Sequence, residues 1–266
     1  MIKECAIIKI EVMKVLTEKR QEIMVNYIDD HKICRVADLS KVTSSSPATV
    51  RRDLASMEKR GIIKRIHGGA RTLKNQAADI AQHIRFNLNR DLKRQIAQYA
   101  VKIHISPGMT IFLDAGTTIY EMVPFLTDIQ DITVVTNGLE TAQECINAGI
   151  FTIMLGGLVK KDTHATVGQS VLRQLGALNL SCAFIGANGL NKNGQYTTPD
   201  IAEADVKQKA IKQAEFSYVL MDKTKIARQT FATFGDCQHS VLITNKINEK
   251  QRQELPAKIK IEEIKI

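Results

Sequence analysis

From residue 90 onward, short runs of apolar residues alternate with segments whose apolar positions recur at helical spacing. The apolar runs do not alternate between polar and apolar residues, which is typical of strands buried on both faces of a parallel sheet. This order predicts an α/β domain over 90–266. The predicted strands cover 109–114, 132–137, 151–157, 182–186, 218–222 and 241–245, and the predicted helices cover 119–126, 139–148 and 200–213.

The pattern over 13–73 is different, because helical spacing dominates it. Val36, Leu39 and Val42 suit a short amphipathic helix, and the polar residues 43–45 suit a turn. The pair predicts a helix-turn-helix at about 34–58 within a DNA-binding domain over 13–73.

A second helix is predicted to begin after Ser46, whose hydroxyl can accept from the free amides of the first turn. Pro47 follows at the first helical position, where its fixed φ is favourable and its missing N–H costs nothing. Val50, Leu54 and Met57 then form one apolar stripe. The small and basic residues opposite that stripe suit a helix lying in a major groove, where an arginine can hold guanine O6 and N7.

The segment 62–71 alternates apolar and basic residues and contains two consecutive glycines, which predicts a β-hairpin wing. Basic side chains on a wing would reach phosphates and position the helix without reading sequence. The predicted DNA contacts are Ser46, Ala48, Thr49, Arg51, Arg52, Lys64, Arg65, His67 and Arg71.

Charge is concentrated in the same region. The chain carries a net charge of +9, and residues 13–75 hold 14 Lys/Arg against 7 Asp/Glu. A concentrated basic module indicates a polyanionic partner, here double-stranded DNA, although a solubilising surface would have the same charge. Aromatic residues make up only 5% and Trp is absent, which argues against stacking on single-stranded nucleic acid.

Cysteine content and hydropathy indicate a cytoplasmic protein. The five cysteines are widely spaced, which fits reduced thiols rather than a disulfide framework. No apolar run approaches the ~20 residues that span a membrane, so no membrane association is expected. Residues 1–12 are interpreted as an N-terminal extension, and the weakly patterned residues 74–89 as a linker.

Polar and glycine-rich clusters follow several predicted strands. The first, 114–118, runs from a strand into a helix, where free amides and the helix dipole favour a phosphate. Others lie at 136–138, 155–157 and 186–189, followed by 197–207. Each glycine is individually as well explained by a turn. Because the carboxyl ends of parallel strands meet at one edge, the set predicts a ligand pocket there.

Motifs of cofactor, metal and hydrolytic enzymes are missing from the sequence: no GxxxxGK[ST], no GxGxxG in the required context, no HExxH and no GxSxG. We therefore expect no cofactor, no metal ion and no catalytic residues.

The motif SxxTVRRDLxxMEKRGxIKRxHGGA, which begins at Ser46, resembles the helix-turn-helix signature of the DeoR family of bacterial transcriptional regulators. The resemblance runs from near Leu16 almost to the end of the chain. It implies a winged helix-turn-helix, repression as the usual activity, and a sensor domain similar in fold to ribose-5-phosphate isomerase and the CoA transferases. It also implies a sugar-phosphate pocket, formed here by Asp114, Gly116, Thr117, Thr118, Thr136, Asn137, Asn188, Glu203, Lys207 and Lys225.

Two positions depart from the family pattern. Asn188 stands where the family often has Asp, and an amide can bind a sugar hydroxyl but is a poor general base near neutral pH. Lys223, Thr224 and Lys225 stand where the family often has Ser-Ser-Lys.

The sequence therefore predicts a regulator, a homodimer or homotetramer, that represses a carbohydrate-utilisation operon and is released by a phosphorylated sugar. Three alternatives stay open. The chain could be an activator of the same family. It could be a sugar-phosphate isomerase or transferase fused to a DNA-binding module. It could also be an architectural DNA-binding protein with no effector.

Overall fold

The structure is a computed structural model, and it describes residues 17, 19–31, 33–60, 62–72, 88–257 and 259–264. The chain divides into two compact units, with the boundary between Leu88 and Asn89. The expected extension over 1–12 and the part of the expected linker over 74–87 lie outside the described residues.

The first unit is a winged helix-turn-helix. Three helices pack around one apolar core, and three short strands form an antiparallel sheet in the order β1-β3-β2. Its elements are α1 (19–31), β1 (Ile33–Arg35), α2 (Val36–Val42), α3 (Pro47–Lys59), β2 (Ile63–Ile66) and β3 (Gly69–Thr72).

The predicted start of α3 is confirmed. The Ser46 hydroxyl accepts a hydrogen bond from the backbone N–H of Thr49 at 3.2 Å, and Pro47 occupies the first turn. Val50, Leu54 and Met57 are fully or almost fully buried, as the stripe predicts. These contacts orient α3 by its apolar face and leave its opposite face outward.

One residue of the predicted α2 stripe differs. Val36 and Leu39 are buried, but Val42 is 39% exposed because it is the last residue of the helix and the chain turns away directly after it.

The wing forms where the sequence predicts it, and its two glycines have different roles. Gly68 takes a positive φ of 77° in the turn between β2 and β3, a conformation that side chains with a Cβ rarely adopt. Gly69 pairs with Arg35 of β1, and a Cβ there would lie 2.0 Å from the Cys34 carbonyl oxygen. The sheet therefore requires glycine at 69 for close approach and at 68 for the turn.

The second unit is an α/β domain around a seven-stranded parallel sheet. In chain order its elements are α4 (Arg90–His104), β4 (Thr110–Leu113), α5 (Thr117–Tyr120), a 3-10 turn (Val123–Phe125), β5 (Thr133–Thr136), α6 (Leu139–Asn147), β6 (Phe151–Met154), β7 (Leu158–Val159), β8 (Thr166–Val167), α7 (Gln169–Gly176), β9 (Leu180–Gly186), β10 (Gly189–Leu190), β11 (Gln195–Thr198), α8 (Ile201–Gln213), β12 (Ala214–Leu220), a second 3-10 turn (Lys223–Lys225), β13 (Ala232–Asp236), β14 (Val241–Asn245), α9 (Glu249–Gln253) and β15 (Ile261–Ile264).

The large sheet has the strand order β6-β5-β4-β9-β12-β14-β15, and each neighbouring pair is parallel. The order of connection reverses between β4 and β9. Such a reversal opens a crevice at the carboxyl ends of the two strands, and ligands of α/β domains bind there. Among the described residues, no helix is long and apolar enough to cross a membrane.

Apolar side chains fill both faces of this sheet. Along β4, Ile111 and Leu113 enter one core and Phe112 enters the other. Along β9, Phe184 and Ile185 divide in the same way. This two-sided burial confirms the prediction for the central strands.

The outer strand β6 does not follow that prediction. It lies at the edge of the sheet, and Phe151 is 69% exposed while Ile153 is 38% exposed. An apolar run without alternation indicates a strand but does not reveal whether the strand is central or at an edge. The sequence also did not predict β15 or the small antiparallel pairings β7-β8 and β10-β11-β13.

Candidate functional site

The predicted DNA-contacting residues lie on the outer face of α3 and on the wing. Of the nine, all are exposed except Thr49, which is half-buried, and the Ser46 and Thr49 hydroxyls lie 2.9 Å apart in a hydrogen bond. They are Ser46, Ala48, Thr49, Arg51 and Arg52 on α3 and its cap, and Lys64, Arg65, His67 and Arg71 on the wing. Small residues beside exposed arginines leave room for a helix to approach base edges.

A buried polar network holds α3 against α1. The Asp53 carboxylate is 5% exposed, and it accepts from Arg20 Nε at 2.5 Å and from Gln21 Nε2 at 3.1 Å. Arg60 in turn donates to the side-chain carbonyl of Gln21. The partners of Asp53 thus come from the neighbouring helix α1. Asp53 thus positions α3 without being part of the exposed surface.

The wing is also tied to α3. The backbone N–H of Arg65 donates to the Glu58 carboxylate at 2.9 Å. Because this bond uses the backbone of Arg65, the basic side chains of β2 stay at the surface.

In the second unit, the sequence-predicted pocket residues gather around the reversal between β4 and β9. Asp114 follows β4, and its Oδ2 accepts from the backbone N–H of Gly186, the last residue of β9, at 3.0 Å. The Asp114 backbone N–H donates to the Phe184 carbonyl at 3.1 Å. These bonds join the carboxyl ends of the two central strands at the edge where ligands of such sheets bind.

A buried ion pair lies among the predicted pocket residues. Lys207 Nζ of α8 donates to Asp114 Oδ2, and it also donates to the Gly186 carbonyl at 3.0 Å. The two side chains are 7% and 3% exposed. The Lys207 ammonium additionally lies 5.6 Å from the centre of the Phe234 ring.

The residues after β5 hold neighbouring loops in place. The Thr136 hydroxyl is fully buried, donates to the Leu113 carbonyl at 2.6 Å and accepts from the Gly138 N–H at 3.0 Å. Asn137 Oδ1 accepts from the Ala115 N–H at 3.2 Å. Thr136 and Asn137 therefore hold the backbone of neighbouring loops in the predicted pocket region. The Thr136 hydroxyl both donates and accepts within the protein.

The segment after β4 lies beside the end of β9. Thr117 and Thr118 begin α5, which has only four residues, and Thr118 is buried. A Cβ at Gly116 would lie 3.4 Å from the Gly186 Cα. That distance is an ordinary van der Waals contact, so the approach of the loops after β4 and β9 does not by itself require glycine at 116.

A second cluster among the predicted pocket residues combines carboxylate, amide and hydroxyl groups. Glu203 accepts from Thr163 Oγ1 at 2.7 Å and from Thr198 Oγ1 at 3.4 Å. Thr198 Oγ1 also lies 3.2 Å from Asn188 Oδ1. Such groups suit hydroxyl recognition, since they both donate and accept hydrogen bonds.

Lys160, Asp200 and Thr163 contact this cluster or each other and are not among the sequence-predicted pocket residues. Lys160 Nζ lies 2.6 Å from Asp200 Oδ2 and 3.6 Å from Glu203 Oε1. Although burial raises the pKa of Asp200, the hydrogen bond from Lys160 and two backbone N–H groups bring it below its usual value. Lys160 and Thr163 lie in the hairpin between the two-residue strands β7 and β8, and strands that short leave no periodic signal in the sequence.

Lys225 approaches the pocket from the far side of β9. Its Nζ donates to the Ala187 carbonyl at 2.8 Å, beside Asn188. Asp222, at the end of the preceding strand, is 2% exposed. Burial alone would raise the pKa of Asp222, but Lys225, Thr224 and Lys93 together hold it below its usual value. Lys225, the second cation among the predicted pocket residues, is therefore stabilised by the buried Asp222 carboxylate.

Comparison with protein families identifies both units. Residues 20–76 match the DeoR-like helix-turn-helix domain, and residues 88–246 match the DeoR C terminal sensor domain. Together the two matches cover most of the chain.

Curated relatives cover nearly the whole chain. An uncharacterized HTH-type transcriptional regulator, FruR of Bacillus subtilis (strain 168), is 37% identical over 88% of this chain and 93% of its own length. The lactose phosphotransferase system repressor of Staphylococcus epidermidis is 31% identical over 83% of this chain and 88% of its own. The putative aga operon transcriptional repressor of Escherichia coli O157:H7 is 27% identical over 85% of each chain.

Solved structures give more distant matches. A D-ribose-5-phosphate isomerase in complex with phospho-erythronic acid has a TM-score of 0.39 at 20% identity, over 51% of this chain and 53% of its own. The full-length sorbitol operon regulator SorC from Klebsiella pneumoniae has a TM-score of 0.37 at 10% identity, over 89% and 98%.

Proposed function

Because the chain belongs to the DeoR family of transcriptional regulators, we propose that it represses a carbohydrate-utilisation operon and that a phosphorylated sugar releases it from DNA. The observation that carries this proposal is the cluster of charged and polar side chains at the reversal of the large sheet. Lys207 and Lys225 bond to the adjacent carbonyls of Gly186 and Ala187, next to Asn188. The same chain has an exposed basic helix and wing.

The DNA-binding half of the proposal rests on α3 and the wing. Arg52, on the outward face of α3, is the residue proposed to read a base, since a bidentate arginine contact distinguishes guanine. Lys64, Arg65, His67 and Arg71 are proposed to contact phosphates, which makes affinity strongly salt-dependent.

The effector-binding part of the proposal rests on two groups of residues, one for the phosphate and one for the sugar hydroxyls. Lys207 and Lys225 are proposed to face the phosphate, because cations and main-chain donors bind phosphate oxygens. Glu203 and Asn188 are proposed to bind sugar hydroxyls. Asn188 is an amide, so it supplies hydrogen bonds rather than a general base. In this scheme the chain binds a sugar phosphate without converting it, in keeping with a family of transcriptional regulators.

The names of relatives support the carbohydrate assignment and the sign of control. Two of them are called repressors, one of a lactose phosphotransferase system and one of an aga operon. A dimer or tetramer follows from the mode of binding, since helix-turn-helix regulators read paired half-sites with symmetric pairs of modules. Light scattering coupled to sizing, at micromolar concentration, tests this state; a monomer would contradict it.

The decisive experiment measures binding of the full chain to DNA from its own upstream region. The probes are fructose 1-phosphate, fructose 6-phosphate, tagatose 6-phosphate and deoxyribose 5-phosphate. The proposal expects specific binding that one of these weakens. Tighter binding with a sugar phosphate would make the chain an activator or a co-repressed regulator. Conversion of a probe during the assay would favour the enzyme alternative, and specific binding that no probe changes would favour a regulator without this effector.

A further inference from the structure

We infer that Asp222 is a positioning residue that couples the effector pocket to the start of α4, where the sensor domain begins. The inference rests on the proposed function and assigns its regulation to one buried carboxylate. Asp222 is not one of the predicted pocket residues. It contacts both the turn that carries Lys225 and the residue that precedes α4.

On the pocket side, Asp222 shapes the turn that carries Lys225. Its Oδ1 accepts from the Thr224 N–H at 3.0 Å and from the Thr224 hydroxyl at 2.5 Å, and its carbonyl accepts from the Lys225 N–H at 3.1 Å. Lys225 then reaches the Ala187 carbonyl next to Asn188. The position of the Lys225 ammonium thus depends on this turn.

On the other side, the same oxygen meets the first turn of α4. Asn89 Nδ2 donates to Asp222 Oδ1 at 3.4 Å, and Lys93, one turn later, adds a second positive charge facing the carboxylate. Asn89 is the first residue of the second unit, and it precedes α4 in a left-handed conformation with φ 54°. The Lys93 N–H donates to the Asn89 carbonyl at 3.0 Å, which begins the helix.

The burial of these groups makes their charges interdependent. Asp222 is 2% exposed, Lys93 3% and Asn89 7%. Water screens charges poorly at such depth, so a change at one partner is felt by the others. An anion bound at Lys225 takes up part of the attraction that this lysine now exerts on Asp222. The carboxylate then interacts more strongly with Lys93 and Asn89, which shifts the preferred position of the first turn of α4.

The test compares wild type with Asp222→Asn, which keeps the shape and the acceptor oxygen but removes the charge. Operator affinity is measured without effector and at saturating concentration of the sugar phosphate that releases wild type. Allosteric couplings are typically about 5- to 150-fold in affinity. The release factor is the operator affinity without effector divided by the operator affinity at saturating effector. For Asp222→Asn we expect operator affinity without effector within about twofold of wild type, and a release factor near one.

Asp236→Asn is the matched control. Asp236 is the last residue of a strand and accepts from the Gln238 N–H at 2.9 Å in the following turn, but it lies half-exposed and its side-chain hydrogen bonds stay within that turn. This variant is expected to show the wild-type release factor. Asn89→Gly is the milder second variant, since glycine accepts the left-handed conformation while losing the amide. It is expected to reduce the release factor partially.

Three results would overturn the inference. The first is full release of Asp222→Asn at saturation, even if more effector is needed, because Asp222 would then serve the pocket alone. The second is an equal loss of release in Asp236→Asn. The third is an unchanged release factor in Asn89→Gly, should Asp222→Asn fail to fold. A wild-type chain that no sugar phosphate releases would instead contradict the proposed function, and the coupling with it.

Discussion

Both units contain a buried aspartate that is paired with a cation, and the pairs at Asp53 and Asp114 have different roles. Asp53 lies between two helices and is held by Arg20 and Gln21, so its contacts end within the core of the DNA-binding unit. Asp114 lies at the carboxyl end of a central strand, and Lys207 holds it at the edge where ligands of α/β sheets bind. The same chemistry thus orients a helix in one unit and joins the carboxyl ends of two central strands in the other. The position in the topology decides which, and the residue types do not.

The largest difference between the two pairs is expected in the free energy of unfolding, when Lys207 or Arg20 is replaced by an apolar residue. Lys207→Met leaves the Asp114 carboxylate buried without its cation, and breaking a buried pair in this way costs about 3–5 kcal/mol. Arg20→Met should cost less, because Arg20 is 20% exposed and Gln21 still donates to Asp53. Urea denaturation followed by circular dichroism, with hydrogen exchange to locate the loss, measures both.

The double variant Asp114→Asn/Lys207→Met serves as the control, since it removes the uncompensated charge and should recover part of the stability. If Lys207→Met and Arg20→Met destabilise equally, the two pairs are not distinguished by burial.

The exposed face of α3 offers the next largest effect. Arg52→Ala is expected to lower operator affinity by ~1–3 kcal/mol while changing binding to random DNA little, because a base contact is lost. Lys64→Ala on the wing is the matched control. It should weaken binding to both DNAs similarly and lower the salt slope by about one. Quantitative DNA binding at several salt concentrations measures both, and equal losses on both DNAs for Arg52→Ala would make Arg52 a phosphate contact.

A smaller effect separates the scaffold of α3 from its reading surface. Ser46→Ala removes the cap of α3, which costs about 1 kcal/mol of stability in the first unit. Ser56→Ala, in the exposed middle of the same helix, should change stability little. Thermal unfolding of the two variants, followed by circular dichroism, compares them. Similar losses would show that the Ser46 hydroxyl does not cap the helix in solution.

The smallest effect concerns pH. Since the pKa of Asp222 lies below its usual value in the folded chain, its charged form stabilises the fold above the unfolded pKa of about 3.9. That contribution is lost as the pH falls through the lower, folded pKa. The difference in unfolding free energy between wild type and Asp222→Asn should therefore be present at pH 7 and narrow below about pH 4.

Asp236→Asn should show a smaller difference with the same sign, because the pKa of Asp236 is also lowered but the side chain is half-exposed. If the difference in unfolding free energy between wild type and Asp222→Asn widens as the pH falls, the pKa of Asp222 is not lowered in the folded chain.

Much of the architecture follows from local sequence. The start of α3 needs only a hydroxyl before a proline and an apolar stripe, all within a dozen residues. The six predicted strands were located because buried parallel strands need continuous apolar runs. The exposure of β6 could not be read in this way, since an edge strand and a central strand differ in their neighbours rather than in their own pattern.

The site was predicted as a set of strand ends, and the sequence by itself placed Asp114, Asn137, Asn188 and Lys207 in the set. Their proximity in the structure comes from the strand order, which places β4 next to β9 although 66 residues separate Leu113 from Leu180. Only the tertiary structure revealed that Lys207 pairs with Asp114, that Lys160 contacts Glu203, and that Asp222 lies between Lys225 and Asn89. Such contacts are set by packing between distant segments, whereas helix caps, stripes and turns are set by neighbours along the chain.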